Sequence, residues 1–152
     1  MFRILFVCIL FFQLSYAGNN LLPGNWHASS RTLNDDTEVI EKEYLNLYDN
    51  KNFQIVILVS LKKGLAYVKD LRIEVNGIWE NRENILVFIV KSVNVPTAKE
   101  VSMISQQSLE NLANNFKAKY ENDKLHMIKV IKLNNKELTT VSESGRKTIY
   151  KR

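Results

Sequence analysis

The sequence predicts a mainly β protein, an eight-stranded antiparallel β-barrel with one amphipathic helix packed on or over it. Eight short segments rich in β-forming residues follow one another, and most are separated by clusters of Asn, Asp, Ser and Gly that suit hairpin turns. The one long break, between the fifth and sixth segments, contains apolar residues at helical spacing. Eight antiparallel strands can close into a barrel, which leaves no exposed sheet edge.

The first 17 residues have the features of a secretory signal peptide. Met1–Arg3 is short and positively charged, Ile4–Leu14 is apolar, and Ser15 and Ala17 place small residues at the minus-three and minus-one positions of a cleavage site. The apolar run is too short to cross a bilayer, which takes about 20 residues. We therefore expect cleavage near Ala17, a single barrel domain over residues 18–152, and no transmembrane span in the mature chain.

The strand pattern is clearest in the middle of the chain. In the fourth segment Leu71, Ile73 and Val75 alternate with polar residues, which is typical of a strand with one buried face. Gly77 then interrupts the alternation, as expected for a bulge or a tight bend. The third and fifth segments are apolar on both faces, so their outer side must be covered or must face an apolar ligand or partner. The eight predicted strands are Asn25–Leu33, Thr37–Tyr48, Asn52–Leu61, Leu65–Glu80, Asn84–Lys91, Leu125–Leu133, Glu137–Ser142 and Arg146–Lys151.

The predicted helix covers residues 105–120 and begins with Ser105 as its N-cap. Its apolar residues recur at helical spacing and form one face. We interpret the helix as a structural cover packed on the barrel, and the alternative is a lid over an opening. The residues of this face are Leu109, Leu112, Ala113, Phe116 and Tyr120.

The two ends of the predicted barrel carry short motifs. Gly24-Asn25-Trp26 opens the first strand, and Tyr150-Lys151-Arg152 closes the last. In these motifs, and in a hairpin over residues 75–88, the chain resembles the lipocalin-like proteins of the calycin group, in particular small exported bacterial members. The resemblance implies that Trp26 and Arg152 pack together at the closed end of the barrel, next to Gly24, in a structural role. Lipocalins usually carry their helix after the eighth strand and a T-D-Y-type triplet in a loop, and this chain departs from both; an OB-like or other small barrel is the alternative fold.

The amino-acid composition indicates the cellular compartment of the protein. The single cysteine, Cys8, lies in the predicted leader, so the mature chain has no disulfide, thiolate ligand or cysteine nucleophile. The sequence has no Asn-x-Ser/Thr sequon, and its net charge of +5 favours anionic surroundings. We predict a periplasmic or secreted protein, and export argues against nucleic acid as a partner.

No pattern in the sequence indicates catalysis. His27 and His126 lack further ligands at useful spacing, and both are expected to be exposed or hydrogen-bonded. Nucleophile-elbow, dinucleotide-binding and phosphate-loop motifs do not occur. We therefore predict that the protein is not an enzyme and has no catalytic residue, cofactor or metal. Glu41 and Glu43 are expected to face solvent, although inward they could hydrogen-bond a polar ligand group.

The leading functional hypothesis is a carrier or sensor of a small hydrophobic or amphipathic molecule, such as a lipid. The candidate ligand-binding residues are Tyr44, Phe53, Trp79 and Phe88, whose orientation the sequence does not determine. The alternative is a protein–protein interaction or inhibitor module with a filled barrel and no small-molecule ligand. Inward-pointing large aromatic residues would favour the filled barrel, and smaller inward residues would leave a cavity.

Overall fold

The computed structural model describes residues 21–96 and 98–152, and the predicted signal peptide with its cleavage site near Ala17 lies outside them. The described residues form nine strands and one helix. In chain order these are β1 (Gly24–Asn34), β2 (Thr37–Leu47), β3 (Asn52–Lys63), β4 (Ala66–Arg82), β5 (Ile85–Asn94), β6 (Glu100–Ser102), α1 (Gln106–Asn122), β7 (Leu125–Leu133), β8 (Glu137–Ser142) and β9 (Lys147–Lys151). No helix within these residues is long and apolar enough to cross a membrane.

Eight of the strands form a closed antiparallel barrel, which confirms the predicted fold class. Neighbours around the ring are β1, β2, β3, β4, β5, β7, β8 and β9, and β9 returns to β1. The sequence did not predict β6, which pairs with Tyr67–Lys69 of β4. β4 is 17 residues long and β5 pairs only with its second half, from Glu74 onward, so the first half has room for this extra short strand.

Turn and bulge residues set the register of the hairpins. Asp35 and Asp36 join β1 to β2 with φ of 45° and 63°, the positive values that a two-residue type I′ turn requires. The register of β4 on β5 shifts between Asn76 and Gly77, so the predicted bulge is confirmed. A Cβ atom at Gly77 would lie 2.0 Å from the backbone oxygen of Ile89, and only glycine fits there.

Trp26 fills one end of the barrel, where β1 and β9 meet. Its side chain is 1% exposed, and its Nε1 donates to the Leu22 carbonyl at 2.8 Å. The Arg152 guanidinium lies 4.1 Å from the centre of the indole ring and donates to the Leu21 carbonyl at 2.7 Å. Gly24 has φ of 134°, and a Cβ there would lie 2.8 Å from Arg152 Nη2. Backbone conformation and the close guanidinium therefore both require glycine at this position.

The helix lies beside the barrel and connects β5 and β6 to β7. Because β5 runs away from the Trp26 end and β7 returns to it, this connection is at the opposite end of the barrel. Ser105 is the N-cap, as predicted, and its Oγ accepts from the backbone N–H of Ser108 at 3.1 Å. The predicted apolar face packs against the barrel core, although no helical residue is fully buried. Its contacting residues are Leu109, Leu112, Phe116 and Tyr120.

Candidate functional site

Glu43 points into the barrel, so the prediction that it faces solvent is wrong. In β2 the side chains of Leu45 and Leu47 are buried at 1% and 2% exposure. Successive residues of a strand alternate between its two faces, so Glu43 belongs to the same inward row. Tyr44 belongs to the opposite row and is 42% exposed. The two leucines hold β2 in this register, and they carry the carboxylate into the interior.

The Glu43 carboxylate is hydrogen-bonded to a buried phenol. Tyr150 of β9 is 5% exposed, and its hydroxyl donates to Glu43 Oε1 at 2.5 Å. Burial raises the pKa of Glu43 above its ordinary value of 4.5, although this bond and the positive charge of Arg146 oppose the rise. Burial and the neighbouring carboxylate also raise the pKa of Tyr150 well above 10.0. The phenol therefore stays neutral and donates at all moderate pH values.

An ion pair lies at the rim beside this carboxylate. Arg146, in the turn between β8 and β9, donates through Nη2 to Glu41 Oε2 at 2.8 Å, and this bond raises the arginine pKa. Both side chains are partly exposed, so the pair contributes little to stability. Its effect is positional, because it joins the β8–β9 turn to β2, and β1 lies between β2 and β9 in the ring.

A polar pocket opens between β1 and β9. The two strands pair at His27 and Lys151, and no further pairing is formed along their described residues. Beyond that point they separate and leave a pocket of about 240 Å³. Its wall combines backbone, hydroxyl and charged groups, and Glu43 lies on its inner side. The lining residues are Ala28, Ser29, Ser30, Glu41, Glu43, Arg146, Lys147, Thr148 and Ile149.

An apolar cavity of about 100 Å³ lies on the other side of Glu43, within the barrel. Phe53 and Phe88 form its aromatic wall, with ring centroids 5.0 Å apart and the rings nearly perpendicular. Tyr120 of α1 closes it from the helix side. The other lining residues are Leu45, Ile55, Val75, Val90, His126, Ile128 and Tyr150. Glu43 is therefore shared by a polar pocket and an apolar cavity.

His126 contributes an unused polar atom to the apolar cavity. Its Nε2 is buried and has no hydrogen-bond partner, so the expectation that this residue is exposed or hydrogen-bonded does not hold for that atom. The Tyr120 ring lies 5.7 Å from the imidazole, centre to centre. Burial and the charge of Glu43 raise the pKa of Tyr120, so this phenol also stays neutral. A buried nitrogen without a partner is costly, and a bound polar group would satisfy it.

The four predicted ligand-binding residues lie in three different places. Phe53 and Phe88 line the apolar cavity. Trp79 is buried at 3% exposure, and its Nε1 donates to the Tyr48 carbonyl at 3.1 Å, so it fills the barrel rather than lining the cavity. Tyr44 lies on the outer face.

Sequence reasoning missed most of the polar residues of the site. Tyr150 stood out only as part of a closing motif, and Arg146 only as the start of a strand. The signal for Glu43 was present in Glu43-Tyr44-Leu45-Asn46-Leu47, because two leucines at alternate positions indicate the inward row.

No protein-family model matches this chain, and no curated protein matches its sequence. The fold therefore defines the class: a closed eight-stranded antiparallel β-barrel with one helix beside it, consistent with a calycin-like fold.

Proposed function

We propose that this chain is a lipocalin-like binding protein for a small amphipathic molecule whose polar group lies at Glu43. The observation that carries the proposal is the position of this carboxylate between the polar pocket and the apolar cavity. Binding sites for small molecules are usually concave and mostly apolar, with a few polar groups that orient the ligand. The unpartnered Nε2 of His126 adds a second such group on the cavity side.

The size of the apolar cavity favours a compact ligand over a long acyl chain. An apolar cavity of roughly 150 Å³ accommodates benzene, and this cavity measures about 100 Å³. Trp26 and Trp79 fill the barrel on the side away from the helix. A short alkyl group, or a ring that extends past Glu43 toward the polar pocket, therefore matches the available space, and the rest of the ligand would occupy the polar pocket.

Native mass spectrometry of the protein purified from its own host tests this proposal. We expect a bound mass of up to a few hundred daltons that is lost on denaturation. Val90→Phe fills the cavity and should abolish the bound mass, whereas Tyr44→Phe on the outer face should leave it unchanged. A mass free of ligand, together with no binding of added amphiphiles, would contradict the proposal and favour a filled barrel.

We also propose that the protein works in the periplasm or outside the cell, as an exported carrier or sensor. The leader pattern over residues 1–17 supports this proposal. Fractionation followed by N-terminal sequencing should find the mature chain starting at Gly18 in the periplasm. Cytoplasmic protein that retains Met1 would contradict it.

Apolar side chains on the outer face of β4, β5 and β7 favour a second candidate function, protein–protein interaction. Ile78 pairs with Ile89, and Ile89 pairs with Leu125, so the three form a row across adjacent strands. They are 39%, 37% and 49% exposed. Contiguous exposed apolar surface is typical of interfaces. A second copy of the chain is the first occupant to test, because this apolar row would then meet itself across a two-fold axis.

Sedimentation velocity over a range of concentrations tests this second function. The wild-type protein should dimerise, Ile89→Lys should remain monomeric, and Asn46→Lys on β2 should dimerise like wild type. A monomer at every concentration would exclude the second copy.

A further inference from the structure

The charges around Glu43 are unbalanced. The groups that face it are Glu41 on the same strand, Arg146 from the β8–β9 turn, Tyr150 on β9, Tyr120 on α1 and His126 on β7. Lys147 lines the rim of the polar pocket, but it lies three positions before the buried Tyr150 in β9 and therefore belongs to the outward row.

Arg146 is already committed to Glu41 through a hydrogen bond of 2.8 Å. The two phenols are neutral donors. Among residues 21–96 and 98–152, no side chain forms an ion pair with the Glu43 carboxylate. This partly buried acid therefore has no ion-pair partner among those residues.

The carboxylate also has unused hydrogen-bonding capacity. Two carboxylate oxygens offer about four lone-pair sites, and the Tyr150 hydroxyl occupies one of them on Oε1. The unpartnered Nε2 of His126 lines the same cavity and accepts a hydrogen bond when that nitrogen carries no proton. Two acceptors at the edge of one cavity are suited to a group that donates several N–H bonds.

Other ligand charges fit less well. An anionic group would meet the carboxylates of Glu41 and Glu43 in the polar pocket. Of the two cations that line this pocket, Arg146 is bonded to Glu41 and Lys147 belongs to the outward row. A neutral group would leave the carboxylate to take up a proton, which is the state that burial favours. A cationic group balances the buried charge and adds charge-assisted hydrogen bonds.

We infer that the ligand is a small amine with a short apolar or aromatic part, which binds with its ammonium group on Glu43 and its apolar part against Phe53 and Phe88. The inference rests on the proposed binding function and specifies its ligand class. Amine binding is also linked to the protonation of Glu43. At a pH below the pKa of Glu43 in the free protein, the bound ammonium replaces the proton of the carboxyl group, so binding releases a proton.

A matched set of three probes tests the ligand class. Phenethylamine, 2-phenylethanol and 3-phenylpropionate share one ring and a similar chain, and they differ in charge. Isothermal titration of the mature protein with each should show the amine binding roughly tenfold tighter than the alcohol, and the acid weakest. Amine affinity should rise from about pH 5 to about pH 8, whereas alcohol affinity should not rise over this range.

Two variants locate the effect. Glu43→Gln keeps the shape and should remove the preference for the amine, and its thermal melt shows that it folds. Glu80→Gln, an exposed acid on the outer face of β4 that lines neither pocket, should retain the preference.

The possible outcomes distinguish the proposed binding function from the proposed ligand class. If the alcohol or the acid binds as tightly as the amine, the amine class is wrong and the binding function stands. If no probe binds and native spectra show no bound mass, both are wrong. Retention of the amine preference in Glu43→Gln would overturn the assignment of the ammonium to this carboxylate.

Discussion

Trp26→Ala is the perturbation whose cost follows most directly from the structure. The indole is 1% exposed, and its Nε1 bonds the carbonyl of Leu22, which is itself 1% exposed. Truncation of a buried aromatic residue costs about 3 to 5 kcal/mol. Arg152 also loses its position over the ring, and such a contact at an exposed site is worth about 0.5 kcal/mol. We therefore expect a loss near the upper end of that range.

Two further variants separate the contributions to this loss of stability. Trp26→Phe keeps most of the buried volume but leaves the Leu22 carbonyl unpaired, which should cost about 1 to 3 kcal/mol. Arg152→Ala leaves the indole buried and removes exposed contacts, so it should cost about 1 kcal/mol. The expected order of loss is Trp26→Ala, then Trp26→Phe, then Arg152→Ala.

Urea unfolding of the chain over residues 18–152 measures the three losses. The chain has two tryptophans, so Trp79 remains as a fluorescent reporter in both Trp26 variants. A two-state fit with an unchanged m-value gives each free energy of unfolding from the shift in midpoint. An unchanged midpoint for Trp26→Ala, or a larger loss for Arg152→Ala than for Trp26→Ala, would refute the role assigned to the buried indole.

Two further predictions concern the bulge and the buried acid. Gly77→Ala should lower the melting temperature strongly, because its Cβ would meet the backbone oxygen of Ile89 at 2.0 Å. Gly64 is the control: it has φ of 58° and open space around it, so Gly64→Ala should lower the free energy of unfolding by only about 1 kcal/mol. An equal effect in the two melts would contradict the clash. For Glu43, the pKa is raised in the folded state, so this residue makes stability fall as pH rises from the ordinary value of 4.5 through the folded pKa. Glu43→Gln removes that fall. The stability of this variant relative to wild type, measured by urea unfolding, should therefore be greater at about pH 8 than at about pH 4. The same stability difference between variant and wild type at both pH values would show that the acid is not buried.

The barrel was predictable because the hydrophobic alternation of each strand and the residues of each turn can be recognised within a short stretch of sequence. Alternation at Leu71, Ile73 and Val75 indicates a face, and Asp35-Asp36 indicates a turn, without knowledge of distant residues. β6 was not predictable in the same way. Three residues are too few for a period-2 pattern, and Glu100–Ser102 becomes a strand because β4 extends beyond its partner β5.

The candidate site was less predictable because it depends on contacts between distant segments. The Tyr150 hydroxyl reaches Glu43 across 107 positions of the sequence. The position of Tyr120 depends on how α1 packs against the barrel, which its own helical spacing does not determine. A carboxylate beside two phenols becomes a site only after the barrel closes, and no short motif records that arrangement.

The meeting of β1 and β9 has a consequence for how the protein folds. Leu21 and Arg152 are in contact although 131 positions separate them, and the two strands pair at one register position. A contact of such long range carries a large loop-closure entropy, while hairpins such as β1–β2 form from neighbouring residues. We therefore expect the hairpins to assemble into a curved open sheet first, with the β1–β9 seam joining last. The polar pocket lies on that seam, so we expect the candidate site to be completed by the final step of folding.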